Sequence, residues 1–167
     1  TIAPQARRIG GSLRWDVDHL ARDNRDVVAI HRFVDELLAE GTIDRRQIYA
    51  IGASRGGVMA ALYTYLYPDR VVAHGAFAAA PPYAWSCVSE APPAAVIYRA
   101  CDSDVSCADV EQWLMARERQ RLPTFSLRLG SSSRPAPSCA LSERACRPKR
   151  GQANHQRWPK RREVEDP

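Results

Sequence analysis

Gln47-Ile48-Tyr49-Ala50-Ile51-Gly52-Ala53-Ser54-Arg55-Gly56-Gly57-Val58-Met59 is the stretch on which the fold turns. Gln47 to Ile51 is a short apolar run rich in β-formers, which reads as a buried strand. From Arg55 to Tyr67 the chain suits a helix, through Val58, Met59, Ala61, Leu62, Tyr65 and Leu66, and Pro68 ends it. Between the two, Gly52-Ala53-Ser54-Arg55-Gly56 is a G-x-S-x-G pentapeptide, and strand-turn-helix is the setting in which such a pentapeptide makes a nucleophile elbow. The steric expectation is that side chains two places before and two places after Ser54 would strike backbone, with Gly57 adding further room. Such a corner presents the Ser54 hydroxyl at the start of the new helix, where unpaired N–H groups favour developing negative charge. The Arg55 N–H would be one oxyanion donor. Small residues also join strands to helices through close packing alone, so the reading rests on the strand, the helix and Gly57 together.

Outward from this corner, Val27, Ile30, Val34, Leu37 and Leu38 recur at steps of three and four between Asp23 and Glu40. They predict a helix with one buried face, stopped by Gly41. Val71 to Ala80 and Ala94 to Tyr98 are apolar stretches suited to inner strands of a parallel sheet. Ser106 to Asp109 has the spacing of a capping box for a helix that carries Val110, Trp113 and Leu114 and runs to about Arg121. After Pro123, the alternation of Phe125, Leu127 and Leu129 with Ser126 and Arg128 predicts a strand near the sheet edge. Alternating helices and strands make an α/β layered fold.

A nucleophilic serine needs a base, and the base needs a carboxylate to orient it. Asp102 follows the strand Ala94 to Tyr98, at the same carboxyl edge of the sheet as Ser54. Asp104 is the next candidate, and an Asx-turn is the competing use of a loop carboxylate.

Three segments then resemble one branch of the α/β hydrolases, that of polyhydroxybutyrate depolymerases and feruloyl esterases. They are Ile43 to Tyr49, Gly52 to Met59, and Tyr67-Pro68-Asp69-Arg70. Pro82-Tyr83 with Cys87 is similar to the loop after the next strand, and Ala100-Cys101-Asp102-Ser103-Asp104-Val105 to the acid loop, with Asp102 on the catalytic position. The resemblance covers about Asp23 to Leu129. It implies a partial α/β-hydrolase fold, mostly a parallel sheet with flanking helices. It also implies a serine esterase that cleaves small-molecule or polymeric esters through an acyl-enzyme, with no cofactor. Arg55 stands where that branch usually has a small residue, and Ser106 where it often has proline. Prolyl oligopeptidase-like hydrolases share the Gly-x-Ser-x-Gly-Gly pattern and stay open as an alternative. His155-Gln156-Arg157-Trp158-Pro159 is similar to the family's His followed by Trp-Pro and has the required chain order, so the triad expected is Ser54, Asp102 and His155. His19, His31 and His74 precede the acid and are read as structural.

Of 167 residues, 45% are hydrophobic and 26% charged, the proportions of a globular protein. The net charge of +5 is uneven: 15 Arg balance 15 Asp and Glu up to Leu129, whereas 9 Lys and Arg face 4 acidic residues after it. The division expected is a domain over 1–129 and a disordered Ser/Pro/Arg-rich tail over 130–167. That basic tail motivates a second reading, a catalytically silent fragment that binds polyanions through Arg147, Lys149, Arg150, Lys160, Arg161 and Arg162. Nucleic acid is disfavoured as a partner, because Trp158 is the tail's lone stacking surface. The 5 Cys include no Cys-x-x-Cys pair, which argues against a metal site, and no apolar run is long enough to span a membrane. Only 46 residues precede Gln47, too few for the strands that come before such an elbow at about 30 residues per strand-helix unit. The expectation is a partial or degenerate member of the family whose exposed sheet edge favours self-association.

Overall fold

The computed structural model describes residues 1–81, 91–100, 102 and 104–129. The pair β1 (Arg8–Ile9) and β2 (Ser12–Leu13) forms a small antiparallel hairpin. Its turn uses Gly10 and Gly11 at φ 57° and 84°, the positive values that a two-residue hairpin loop demands. Then follow α1 (Arg25–Ala39), a 3₁₀ turn (Arg45–Gln47), β3 (Tyr49–Ala53), α2 (Arg55–Leu66), β4 (Ala73–Phe77), β5 (Ala94–Arg99), α3 (Cys107–Arg119) and β6 (Thr124–Leu129).

Strands β3 to β6 form one parallel sheet in the order β3-β4-β5-β6, so β4 and β5 are inner strands and β6 an edge, as their patterns predict. The second strand is shorter than Val71 to Ala80, because Ala78 turns to a positive φ of 47° directly after Phe77. β3 starts two residues later than Gln47. The Asp44 carboxylate accepts the Arg46 N–H and winds Arg45–Gln47 into the 3₁₀ turn, and the ladder to β4 then carries the strand on through Gly52 and Ala53.

All three helices lie on one face of the sheet. Ala76, Val96 and Tyr98 pack against Cys107, Val110 and Trp113 of α3, while Ala50 joins Val27 of α1 and Met59 and Leu62 of α2. The opposite face presents Tyr49, Ile51, Gly75, Phe77, Ile97, Phe125, Leu127 and Leu129, and among the described residues no helix covers it. β3 is therefore not the buried strand that its apolar run predicts: among the described residues it lies at the sheet's edge, with Tyr49 59% and Ile51 80% exposed.

Asn24 starts α1. Its side-chain oxygen accepts from the N–H groups of Asp26 and Val27, and its amide donates to the carbonyls of Asp16 and His19. Asp26, also buried, is held by Arg7 and by the Asp16 N–H, which ties the hairpin to the helix. Asn24→Ala is expected to cost about 2 kcal/mol, the loss of a cap plus two buried bonds, read as a lowered urea midpoint at unchanged slope. Ser106 caps α3 by accepting the Asp109 N–H at 3.3 Å, as the capping-box spacing predicts.

Candidate active site

Ser54 is the residue between β3 and α2, and it is twisted into φ 51°, ψ −130°. A positive φ is uncommon outside glycine and costs of order 1–3 kcal/mol, so it persists only where the surroundings force it. Here they do. The Ser54 N–H donates to the Phe77 carbonyl at the end of β4 (2.9 Å), and the Ser54 carbonyl accepts from the N–H groups of Gly57 and Val58 (2.9 and 3.1 Å). Its side chain makes no capping bond to α2, although serine commonly caps helices, so the hydroxyl is not spent on the helix start.

The glycines divide the work differently from the symmetrical expectation. A Cβ on Gly52 would lie 2.1 Å from the Gly56 carbonyl oxygen and 2.6 Å from the Gly57 nitrogen, backbone that cannot give way. A Cβ on Gly57 would lie 2.7 Å from the Ala79 Cβ and 3.0 Å from the Gly52 carbonyl oxygen. On Gly56 the nearest atom would be the Trp15 Nε1 at 3.7 Å, an ordinary contact. The second position that must be bare is therefore Gly57, not Gly56: it is Gly57 that brings α2 close against β3 and β4.

Asp102 lies three residues past the end of β5, at the same carboxyl edge of the sheet as Ser54, which follows β3 two strands away. Its Oδ1 accepts the N–H groups of Asp104 and Val105 (2.9 and 3.0 Å), the Asx-turn weighed above, while Oδ2 is a buried atom. One oxygen thus fixes the loop and orients the other. Asp104 contributes backbone to that loop.

His155 and the whole of 130–167 lie outside the described residues, as do Pro82, Tyr83, Cys87, Cys101 and Ser103. The three described histidines are committed elsewhere. His19 pairs with Asp23 at 2.7 Å and holds that carboxylate below its ordinary pKa. His31 stacks on Tyr67 at 3.7 Å and meets Asp35 at 3.3 Å and the Tyr63 hydroxyl at 3.3 Å. His74 is buried between Tyr65 and Trp113. Two shallow hollows of about 430 and 490 Å³ lie on the outer surface of α1, and neither is lined by Ser54 or Asp102. Among the described residues no three His, Cys, Asp or Glu side chains are grouped to hold a metal ion, and no helix is long and apolar enough to cross a membrane.

Sequence reasoning missed the wall beside the corner. Trp15, just after the hairpin, sets its indole over Gly56, and its carbonyl accepts from Arg55 Nη1 at 3.4 Å. Asp18 stands 3.8 Å from the same nitrogen. Forty positions separate Trp15 from Arg55, and no local pattern signals such a contact.

Several solved structures share this arrangement of strands and helices. The Bacillus cereus carboxylesterase superposes with a TM-score of 0.55 over 74% of this chain at 20% identity. A sugar hydrolase from Lactococcus lactis gives 0.56 over 77% at 18% identity, and the acylaminoacyl peptidase of Pyrococcus horikoshii 0.58 over 74% at 13% identity. The fold is that of the α/β hydrolases. The chain spans only 57%, 63% and 27% of the length of those three proteins. No protein family's sequence profile matches the chain, and no curated protein matches it in sequence.

Proposed function

We propose that the protein is a serine hydrolase acting on carboxylic esters, in the manner of the polyhydroxybutyrate depolymerase and feruloyl esterase-like branch. The observation that carries this reading is the positive φ of Ser54 at the strand-to-helix corner, with its hydroxyl left out of the helix cap. A positive φ on the serine of a G-x-S-x-G pentapeptide, at a strand-to-helix corner on a sheet's carboxyl edge, is characteristic of a nucleophile elbow. Ser54 Oγ attacks the ester carbonyl, a histidine takes its proton, and the Arg55 N–H donates to the oxyanion. Asp102 orients the histidine, for which His155 is the candidate in chain order. The alcohol leaves with the proton, and water releases the acyl group from the serine.

The test is labelling of the full chain with a fluorophosphonate, followed by intact-protein mass spectrometry. One adduct is expected, absent in Ser54→Ala and slowed at least about 100-fold in Asp102→Asn. An equal adduct on Ser54→Ala overturns the assignment. The likeness to the acylaminoacyl peptidase favours peptide bonds as the second reading. Faster release from an acyl-amino-acid anilide than from the matching ester would select it.

A further inference from the structure

We propose that the Arg55 side chain selects esters carrying a second, anionic group a few atoms from the scissile carbonyl, a free carboxylate above all, and that Asp18 competes with that group. The inference deepens the esterase reading and rests on it.

Arg55 is the first residue of α2 and follows Ser54 directly, so its side chain leaves the backbone beside the candidate nucleophile. The Trp15 segment holds its head, where Nη1 contacts the Trp15 carbonyl and Asp18. Among the described residues Nε and Nη2 meet no partner. These two donors form the fork that binds a carboxylate bidentately.

The ion pair already present does not close this fork. At 3.8 Å, with the Arg55 side chain 45% exposed and that of Asp18 87% exposed, it is a surface contact of the kind worth about 0–1 kcal/mol. A substrate carboxylate that docks on two donors of this half-exposed guanidinium gains more than Asp18 loses through its single 3.8 Å contact. The neutral carbonyl of Trp15 fixes the guanidinium without cancelling its charge. Arg55 thus has two separable parts, a backbone N–H beside the reacting atoms and a charged head several ångströms further out.

The experiment compares labelling rates of two fluorophosphonates of equal chain length on the full protein, one ending in methyl and one in a carboxylate. In each reaction the Ser54 Oγ–P bond forms as P–F breaks, and fluoride leaves with the serine proton. The readout is the ratio of the anionic to the neutral rate within each protein, so a general loss of reactivity cancels. The wild type should favour the anionic probe about three- to fivefold, the scale of one half-exposed charge pair. The ratio should fall to about one in Arg55→Gln, stay elevated in Arg55→Lys, rise in Asp18→Asn, and shrink in 0.5 M salt. A wild-type ratio of one or less, or a ratio unchanged in Arg55→Gln, overturns the selectivity while the serine hydrolase assignment stands. A ratio that does not rise in Asp18→Asn overturns the competition. No adduct at Ser54 with either probe removes the assignment and this inference together.

Discussion

Gly52→Ala is expected to cost about 3–5 kcal/mol and to abolish fluorophosphonate labelling, whereas Gly56→Ala in the same pentapeptide keeps both the fold and the adduct. The added methyl at Gly52 would sit 2.1 Å from the Gly56 carbonyl oxygen, and both groups belong to backbone held at either end. Gly52 is paired with Ala76 in the sheet, and Gly56 is already inside α2. Relief would require α2 to back away from β3, which would open its contacts to Ala76 and Ala79 and release Ser54 from its strained φ. Substitutions that force a core element apart belong among the largest single-residue effects. At Gly56 the methyl meets only the edge of Trp15 at 3.7 Å, in a helical conformation that alanine prefers. That substitution should be neutral or stabilise by about 0.5 kcal/mol. Gly57→Ala should resemble Gly52→Ala, since the Ala79 methyl is 2.7 Å away. Urea unfolding and adduct yield measured on the three variants separate the roles; equal losses at positions 52 and 56 would contradict the geometry.

The second large effect is on pH dependence. His74, on β4, is 3% exposed, and neither ring nitrogen finds a hydrogen-bond partner among the described residues. Burial pushes its pKa down from 6.5 to about 4, and the charge of Arg117 adds to the shift. Arg117 is itself fully buried and donates to Thr124, to the Tyr65 hydroxyl and to the carbonyls of Pro92 and Pro123. The unfolded chain takes up a proton at its histidine near pH 6.5 while the folded chain does not. Stability is therefore complete above pH 6.5, falls as the pH drops, and stops falling through this group below about pH 4. The full loss is about 3 kcal/mol. His74→Phe keeps an aromatic ring between Tyr65 and Trp113 and removes the titration. The wild type should lose more stability than this variant between pH 7 and pH 4.5, as read by urea melts at both. Parallel losses in the two proteins would show that the ring is protonated in the fold, or that other groups dominate.

The β3-α2-β4 unit was legible in the sequence because each signal is local. The apolar run, the pentapeptide and Pro68 lie within some twenty positions, and the alternation of Phe125, Leu127 and Leu129 marks one face of β6. Asp102 was placed at the correct sheet edge by its distance from an apolar run. Features made by contact between distant segments were not legible. The hairpin β1-β2 has strands of two residues each, too short to show alternation, and Gly10-Gly11 was its single cue. The assignment of the second bare position to Gly56 failed because clash depends on where α2 settles against Ala79, which no pentapeptide encodes. Trp15 and Asp18 reach the corner only after the chain between them and Arg55 has folded.

The contacts that force Ser54 into its unusual backbone angles all arise between Tyr49 and Ala79, from groups near one another along the chain. Closing such short loops costs little chain entropy, and structures dominated by near-neighbour contacts assemble quickly. The corner therefore can form as an early kernel of folding, with the later strands β5 and β6 added to a surface that is already in place. The backbone angle of Ser54 would then be set before the loop that carries Asp102 has joined the sheet.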